Sequence, residues 1–155
     1  MRFVCPLLVV EDLERSRDFY CNVLKQTVIA DYGENIVFRG DFSLHQRAHF
    51  EGLLGNGRAV RFGDDSFELY FETDDLDEIR DRLQKNGVVF VHDLREQPWR
   101  QRVMRIADPD GHLIEIGEPM PAVVRRLAQS GMTIAAIAAA TSLPERIVLR
   151  ELALR

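Results

Sequence analysis

The residues with the most suggestive chemistry lie in one stretch, Ile106-Ala107-Asp108-Pro109-Asp110-Gly111-His112-Leu113-Ile114-Glu115-Ile116. Asp-Pro-Asp-Gly forms turns: Pro presets φ, Asp bonds its own backbone, and Gly takes the position with φ > 0. Val103, Met104 and Ile106 precede the turn and Leu113, Ile114 and Ile116 follow it, so the stretch reads as a β-hairpin. Period-two alternation sets Glu115 opposite Ile114 and Ile116. If those isoleucines pack beneath the sheet, Glu115 points either to solvent or into a concavity, where a carboxylate can shuttle a proton. No Ser/His/Asp triad, Gly-rich phosphate loop or Cys-x-x-Cys pair is visible in the sequence.

The elements that must position Glu115 occur twice. Residues 3–10 read as a strand. Asp12 then caps a helix whose acidic first turn suits the helix dipole and whose apolar spacing runs to about residue 25. Short strands follow at Thr27–Asp31, Asn35–Arg39 and Phe42–Gln46, with Gly40-Asp41 as a turn. Residues 47–63, with Gly52, Gly55 and Gly57, read as a linker or loop. The order then restarts. Ser66–Thr73 alternates as a strand, Asp74 to Glu78 opens a helix ending at Asn86-Gly87, and Val88–Val91 is a strand. Residues 93–101 read as a polar loop before the hairpin. Both halves are β-α-β-β-β, with Val10-Glu11-Asp12-Leu13 matching Thr73-Asp74-Asp75-Leu76 and Gly40-Asp41 matching Asp110-Gly111. This register pairs Cys5 with Glu68 and His45 with Glu115.

The totals set bounds. The chain has 155 residues, enough for one ordinary domain and a small appendage. It is 46% apolar and 29% charged, a globular balance, and no run nears the roughly 18 apolar residues needed to span a membrane. A net charge of −5 argues against coating nucleic acid. Cys5 and Cys21 show no scaffold spacing, so free thiols in a reducing cytoplasm are expected.

The chain resembles the vicinal oxygen chelate superfamily, which holds glyoxalase I, bleomycin-resistance proteins and extradiol dioxygenases. The matching stretches are Val9-Val10-Glu11-Asp12-Leu13-Glu14-Arg15-Ser16-Arg17-Asp18-Phe19-Tyr20 and Asp108-Pro109-Asp110-Gly111-His112-Leu113-Ile114-Glu115, and the match covers about residues 1–119. The resemblance implies an α+β fold: two modules (about 1–57 and 58–119) whose mixed sheet curls into a cup. In metal-dependent members a divalent ion sits there. Carried over, its ligands are Cys5, His45, Glu68 and Glu115, with Glu115 also the candidate catalytic carboxylate. The family usually has His or Gln at the first of these positions and often His at the third, so Cys5 and Glu68 are departures. A thiolate, an imidazole and two carboxylates suit Zn²⁺ or another first-row transition metal. The alternatives are plain: Cys5 is a small hydrophobe, Glu68 and Tyr70 lie on a wet strand face, and no metal binds at all.

Trp99 is a candidate lid aromatic, Tyr70 and Arg102 candidate ligand contacts, and Arg100 and Arg102 suit an anionic group. Three functions follow from the resemblance: a metal-dependent lyase or dioxygenase-like enzyme, a metal-free protein that sequesters an antibiotic-like small molecule, or a ligand-sensing regulator. The third draws on residues 120–155, a helical extension. There Gly131 to Ala138 and Thr141-Ser142-Leu143-Pro144-Glu145 resemble a helix-turn-helix, and Arg146, Arg150 and Arg155 face Glu145 and Glu151. A homodimer with a small-molecule ligand is the expected assembly. Nucleic acid is a minor expectation, through the tail only.

Overall fold

The structure is a computed structural model in which residues 1–63 and 65–153 are described. Two units emerge, Met1–Phe67 with the turn Ala107–His112, and Glu68–Ile106 with the chain from Leu113 onward. Each contains a four-stranded sheet of the expected β-α-β-β-β origin.

The first unit runs β1 (Leu7–Val10), α1 (Leu13–Asp18), β2 (Val28–Asp31), β3 (Asn35–Phe38), β4 (Phe42–Gln46) and α2 (Arg47–Leu54). Asp12 caps α1 through its side chain, as its position before Leu13 dictates. The helix continues as a wider π-turn over Phe19–Val23, where Leu24 N–H donates to the Phe19 carbonyl at 3.1 Å. The sheet order is β1-β4-β3-β2, with β1 parallel to β4 and β3 antiparallel to it. Leu8, Val10, Ile36, Phe38 and Leu44 alternate onto one face and are buried there. Tyr20 packs on the stacked rings of Phe38 and Phe42, whose centroids lie 4.7 Å apart.

The turn of the second module's hairpin completes this unit. The buried Asp108 carboxylate accepts from Tyr20 OH at 3.0 Å, His112 Nδ1 at 2.8 Å, His112 N–H at 2.8 Å and Asp110 N–H at 2.9 Å. Asp110 in turn sits at the start of α1. It accepts from Glu11 N–H at 3.1 Å and Ser16 Oγ at 3.3 Å, and it pairs with Arg15. A carboxylate is favoured there because the first N–H groups of a helix lack partners.

The second unit runs β5 (Glu68–Glu72), α3 (Leu76–Lys85), β6 (Val89–Glu96), β7 (Arg102–Ala107), β8 (Leu113–Gly117), α4 (Met120–Gln129), α5 (Ile134–Thr141) and α6 (Glu145–Ala153). Its sheet order is β5-β8-β7-β6, with β5 parallel to β8. Leu69, Met104, Ile106, Ile114 and Ile116 form the buried apolar face. Arg80 of α3 bonds Asp93, so α3 lies on the side of the sheet opposite His92. The last three helices share a core of Val123, Val124, Leu127, Ile137 and Val148. A left-handed Ser142 joins α5 to α6, and Arg150 pairs with Glu151. Leu154 and Arg155 lie outside the described residues.

Several expected boundaries are corrected. The first strand starts at Leu7, not residue 3, because Pro6 cannot donate to a ladder and Phe3 and Val4 are exposed. The expected loop 47–63 opens with α2, capped by the Gln46 side chain and braced by an Arg47–Glu51 pair one turn apart. The strand expected to end at Val91 runs to Glu96, taking in part of the expected loop 93–101; its alternate residues are exposed at a sheet edge, which masks the pattern.

The repeat register also changes. Anchored on the helix caps Asp12 and Asp75, Leu7 matches Tyr70. Leu7 lies opposite Ser43, and Tyr70 opposite Glu115. The counterpart of Glu115 is therefore Ser43, not His45. The second hairpin turn (108–112) is two residues longer than the first (39–41), because β3 ends at Phe38 and β4 starts at Phe42, while β7 ends at Ala107 and β8 starts at Leu113. A shift of two keeps every side chain on its original face.

Candidate functional site

On the face of the second sheet opposite α3, one polar side chain from each strand forms a row in the sheet's own order. These are Glu68 of β5, Glu115 of β8, Arg105 of β7 and His92 of β6. The Arg105 guanidinium is the hub. Its Nε donates to Glu68 Oε2 at 2.9 Å and its Nη2 to Glu68 Oε1 at 3.4 Å. Nη2 is also ion-paired with Glu115 Oε2, a buried oxygen. Nη1 lies 3.2 Å from His92 Nε2. Guanidinium can only donate, so His92 Nε2 accepts; its Nδ1–H then donates to the Asp93 carbonyl at 2.9 Å.

Electrostatics follow from burial. Glu115 is 6% exposed. Desolvation pushes its carboxyl above the usual range, with Glu68 adding to the effect and Arg105 and His92 opposing it. The Arg105 guanidinium is held above its ordinary value, chiefly by its hydrogen bonding to Glu68.

A second group lies further along the same face. Trp99 Nε1 donates to Gln101 Oε1 at 2.8 Å, Gln101 Nε2 to the Tyr70 hydroxyl at 2.7 Å, and that hydroxyl to Glu72 Oε1 at 3.0 Å. Gln101 is fixed further by donating to the Glu118 carbonyl at 2.8 Å. Gly117 makes room: a Cβ there would meet Gln101 Nε2 at 3.1 Å and the Tyr70 hydroxyl at 3.2 Å. Burial and the bond to Glu72 push the Tyr70 phenol up to about 12, so it stays a donor at neutral pH. Tyr70 and Trp99 are 46% and 39% exposed. They form an aromatic surface held by hydrogen bonds at the polar ends of both rings.

Arg102 faces elsewhere. Alternation puts it on the side opposite Arg105. There its guanidinium and N–H bond the buried Glu118, which also takes Arg126 Nη2 at 2.5 Å. Burial opposes the charge on Glu118, but these donors outweigh it and hold its carboxyl below the usual range. The trio ties α4 to β7, and Arg102 serves that joint.

The first sheet carries different chemistry. Cys5 Sγ lies 3.8 Å from Ser43 Oγ. His45 is buried. Its Nε2 is 2.7 Å from His49 Nδ1, the rings are stacked, and Asn35 Nδ2 lies 3.4 Å from its Nδ1. Burial, then the neighbouring His49, lowers the His45 pKa.

These donor sets do not fit a divalent ion. Glu68, Glu115 and His92 already face a cation of the chain's own. Among the described residues no three His, Cys, Asp or Glu groups are placed to hold a metal. Sequence reasoning missed Arg105, His92, Gln101 and His49. Arg105 was legible only as the residue two strand positions beyond Val103 on Glu115's neighbour, and His49 only as the fourth residue after His45.

Two sheets of this order, each from a β-α-β-β-β repeat, define a duplicated α+β domain with a polar row on its second sheet. The chain belongs to the glyoxalase-like domain family, whose model matches residues 3–121, within the vicinal oxygen chelate superfamily. A protein of unknown function from Agrobacterium tumefaciens str. C58 is 36% identical with a TM-score of 0.68, over 77% of this chain and 94% of its own. A glyoxalase/bleomycin resistance protein/dioxygenase from Nocardioides shares the fold at 21% identity and a TM-score of 0.60, over 76% of this chain and 83% of its own. The bleomycin resistance protein of Geobacillus stearothermophilus is 28% identical over 119 residues, 70% of this chain and 90% of its own. These matches concern the glyoxalase-like part. No helix among the described residues is long and apolar enough to cross a membrane.

Proposed function

We propose that this chain is a metal-free small-molecule-binding protein, and that the second sheet's polar face takes a flat, amine-bearing ligand. The carrying observation is the Arg105 guanidinium set against Glu68, Glu115 and His92. A divalent Lewis acid needs open carboxylates, and here they are engaged. Tyr70 and Trp99 offer stacking surface, whose value for a flat cation rises with desolvation. Glu68, Glu72 and Glu115 outnumber Arg105, which favours a positively charged partner. The similarity to a bleomycin resistance protein agrees with capture rather than turnover.

Trp99 is the chain's single tryptophan, so it reports directly on this face. Titration with metal-free bleomycin and a panel of aromatic amines is expected to quench its emission saturably, and Tyr70→Ala to weaken that binding. Metal analysis of protein purified without chelator is expected to find less than a tenth of an equivalent. A stoichiometric metal, together with no emission change across the panel, overturns the reading.

A further inference from the structure

Glu68, Glu115 and His92 come from three different strands, yet all three present acceptor atoms to one guanidinium. Each is prepared as a cation ligand. The His92 lone pair is aimed by an Nδ1–H bond to a backbone carbonyl, the arrangement that orients metal-bound histidines. Glu115 Oε2 is buried directly against the Arg105 guanidinium. Such an oxygen is costly to bury unless a cation accompanies it.

We infer that this row is a three-donor cation site whose resident ion is the Arg105 side chain, so that Arg105 alone keeps a divalent metal out of it. Two carboxylates and an imidazole suit a first-row divalent ion. Among the described residues they are not placed to hold one, and the guanidinium contacts all three. Metal–oxygen bonds of about 2.0–2.2 Å demand a closer approach, which the flexible Glu68 and Glu115 side chains can make once the guanidinium is gone. The inference rests on the metal-free reading above, and it adds the residue responsible.

The test is Co²⁺ and Zn²⁺ binding to the full chain. Arg105→Ala is expected to bind one Co²⁺, with visible d–d absorption, about 100-fold more tightly than wild type, and adding Glu115→Gln is expected to cut that about 10–100-fold. Binding no tighter than wild type overturns the inference while leaving the proposed function standing. If Arg105→Ala does not fold, Arg105→Met fills the volume without the charge and carries the same expectation. Independently, ¹⁵N spectra of wild type at pH 8 are expected to show His92 as the Nδ1–H tautomer, and the Nε2–H tautomer overturns the inference without any variant. Stoichiometric metal in wild type overturns the proposed function and the inference together, whereas the Arg105→Ala result bears on the inference alone.

Discussion

The face of the first sheet that carries Ser43 and His45 and the face of the second that carries Glu68 and Glu115 occupy equivalent places in two sheets of equivalent order. In the second, the Glu68–Glu115 pair is bridged by an arginine. In the first, the matching pair is Cys5 and Ser43, a thiol and a hydroxyl 3.8 Å apart. The buried faces, by contrast, are alike: Leu8, Ile36 and Leu44 in one, Leu69, Ile114 and Ile116 in the other. Packing constrains a core to residues of similar size and polarity. An outward face has no such constraint, so the repeat preserved its apolar half and diverged in its polar half. A neutral pair needs no counter-ion, whereas two carboxylates do, and that makes Arg105 a structural requirement of the second sheet.

The largest way to break this contrast is to remove the counter-ion. Arg105→Ala is expected to destabilise the fold by about 2–3 kcal/mol at pH 7 in urea denaturation, the partial exposure of Glu68 keeping it below the cost at a fully buried pair. The loss should shrink in acid, where the carboxylates protonate. His49→Ala, which removes a partner on the first sheet, is expected to cost under about 1 kcal/mol. Equal losses would erase the difference between the sheets.

Gly117→Ala probes the aromatic end of the second face. Its Cβ crowds Gln101, Tyr70 and Val103, so a loss of about 1–2 kcal/mol is expected. Trp99 emission should shift as its Gln101 partner moves. An unchanged spectrum would mean that Trp99 is not held through Gln101.

The smallest effects separate two histidines by pH. His45 is depressed by burial and His49, so its contribution is full above about pH 6.5 and is lost as pH falls toward its lower folded pKa. His112 behaves oppositely. Burial opposes its charge, but the Asp108 carboxylate beside Nδ1 prevails and its pKa is raised. Its contribution is full below about pH 6.5 and is lost as pH rises through the raised value. Stability profiles of His45→Asn and His112→Gln are expected to flatten on the acid and the alkaline side, respectively. Changes on the same side would contradict the assigned environments.

What the sequence disclosed follows the same division. Caps, turns and apolar alternation are local, so Asp12, Asp75, the Asp108–His112 turn and the repeat were readable from residue types alone. Glu68 and Glu115 were also singled out, as ligands of one metal ion with Cys5 and His45; the structure sets both against Arg105. Their partner was not. Arg105 meets Glu68 across 37 residues, and such pairings leave no periodic trace. Arg102 drew attention instead as a cation suited to an anionic group, yet alternation puts it on the side of the sheet opposite Arg105. Glu115's match to Ser43 was hidden by a two-residue difference in turn length, which shows only when strands are paired.

The Asp110 bonds at the start of α1 have a consequence for how the chain is made. Asp110 lies 94 residues beyond Ser16, the side chain it bonds. At about 5–20 residues per second, Ser16 is synthesised roughly 5–20 s before that carboxylate. During that interval the N–H of Glu11 and the guanidinium of Arg15 must rely on water, and Tyr20 has no Asp108 to receive its hydroxyl. The first repeat is therefore synthesised early but finished late, and it is the last turn of the second repeat that finishes it.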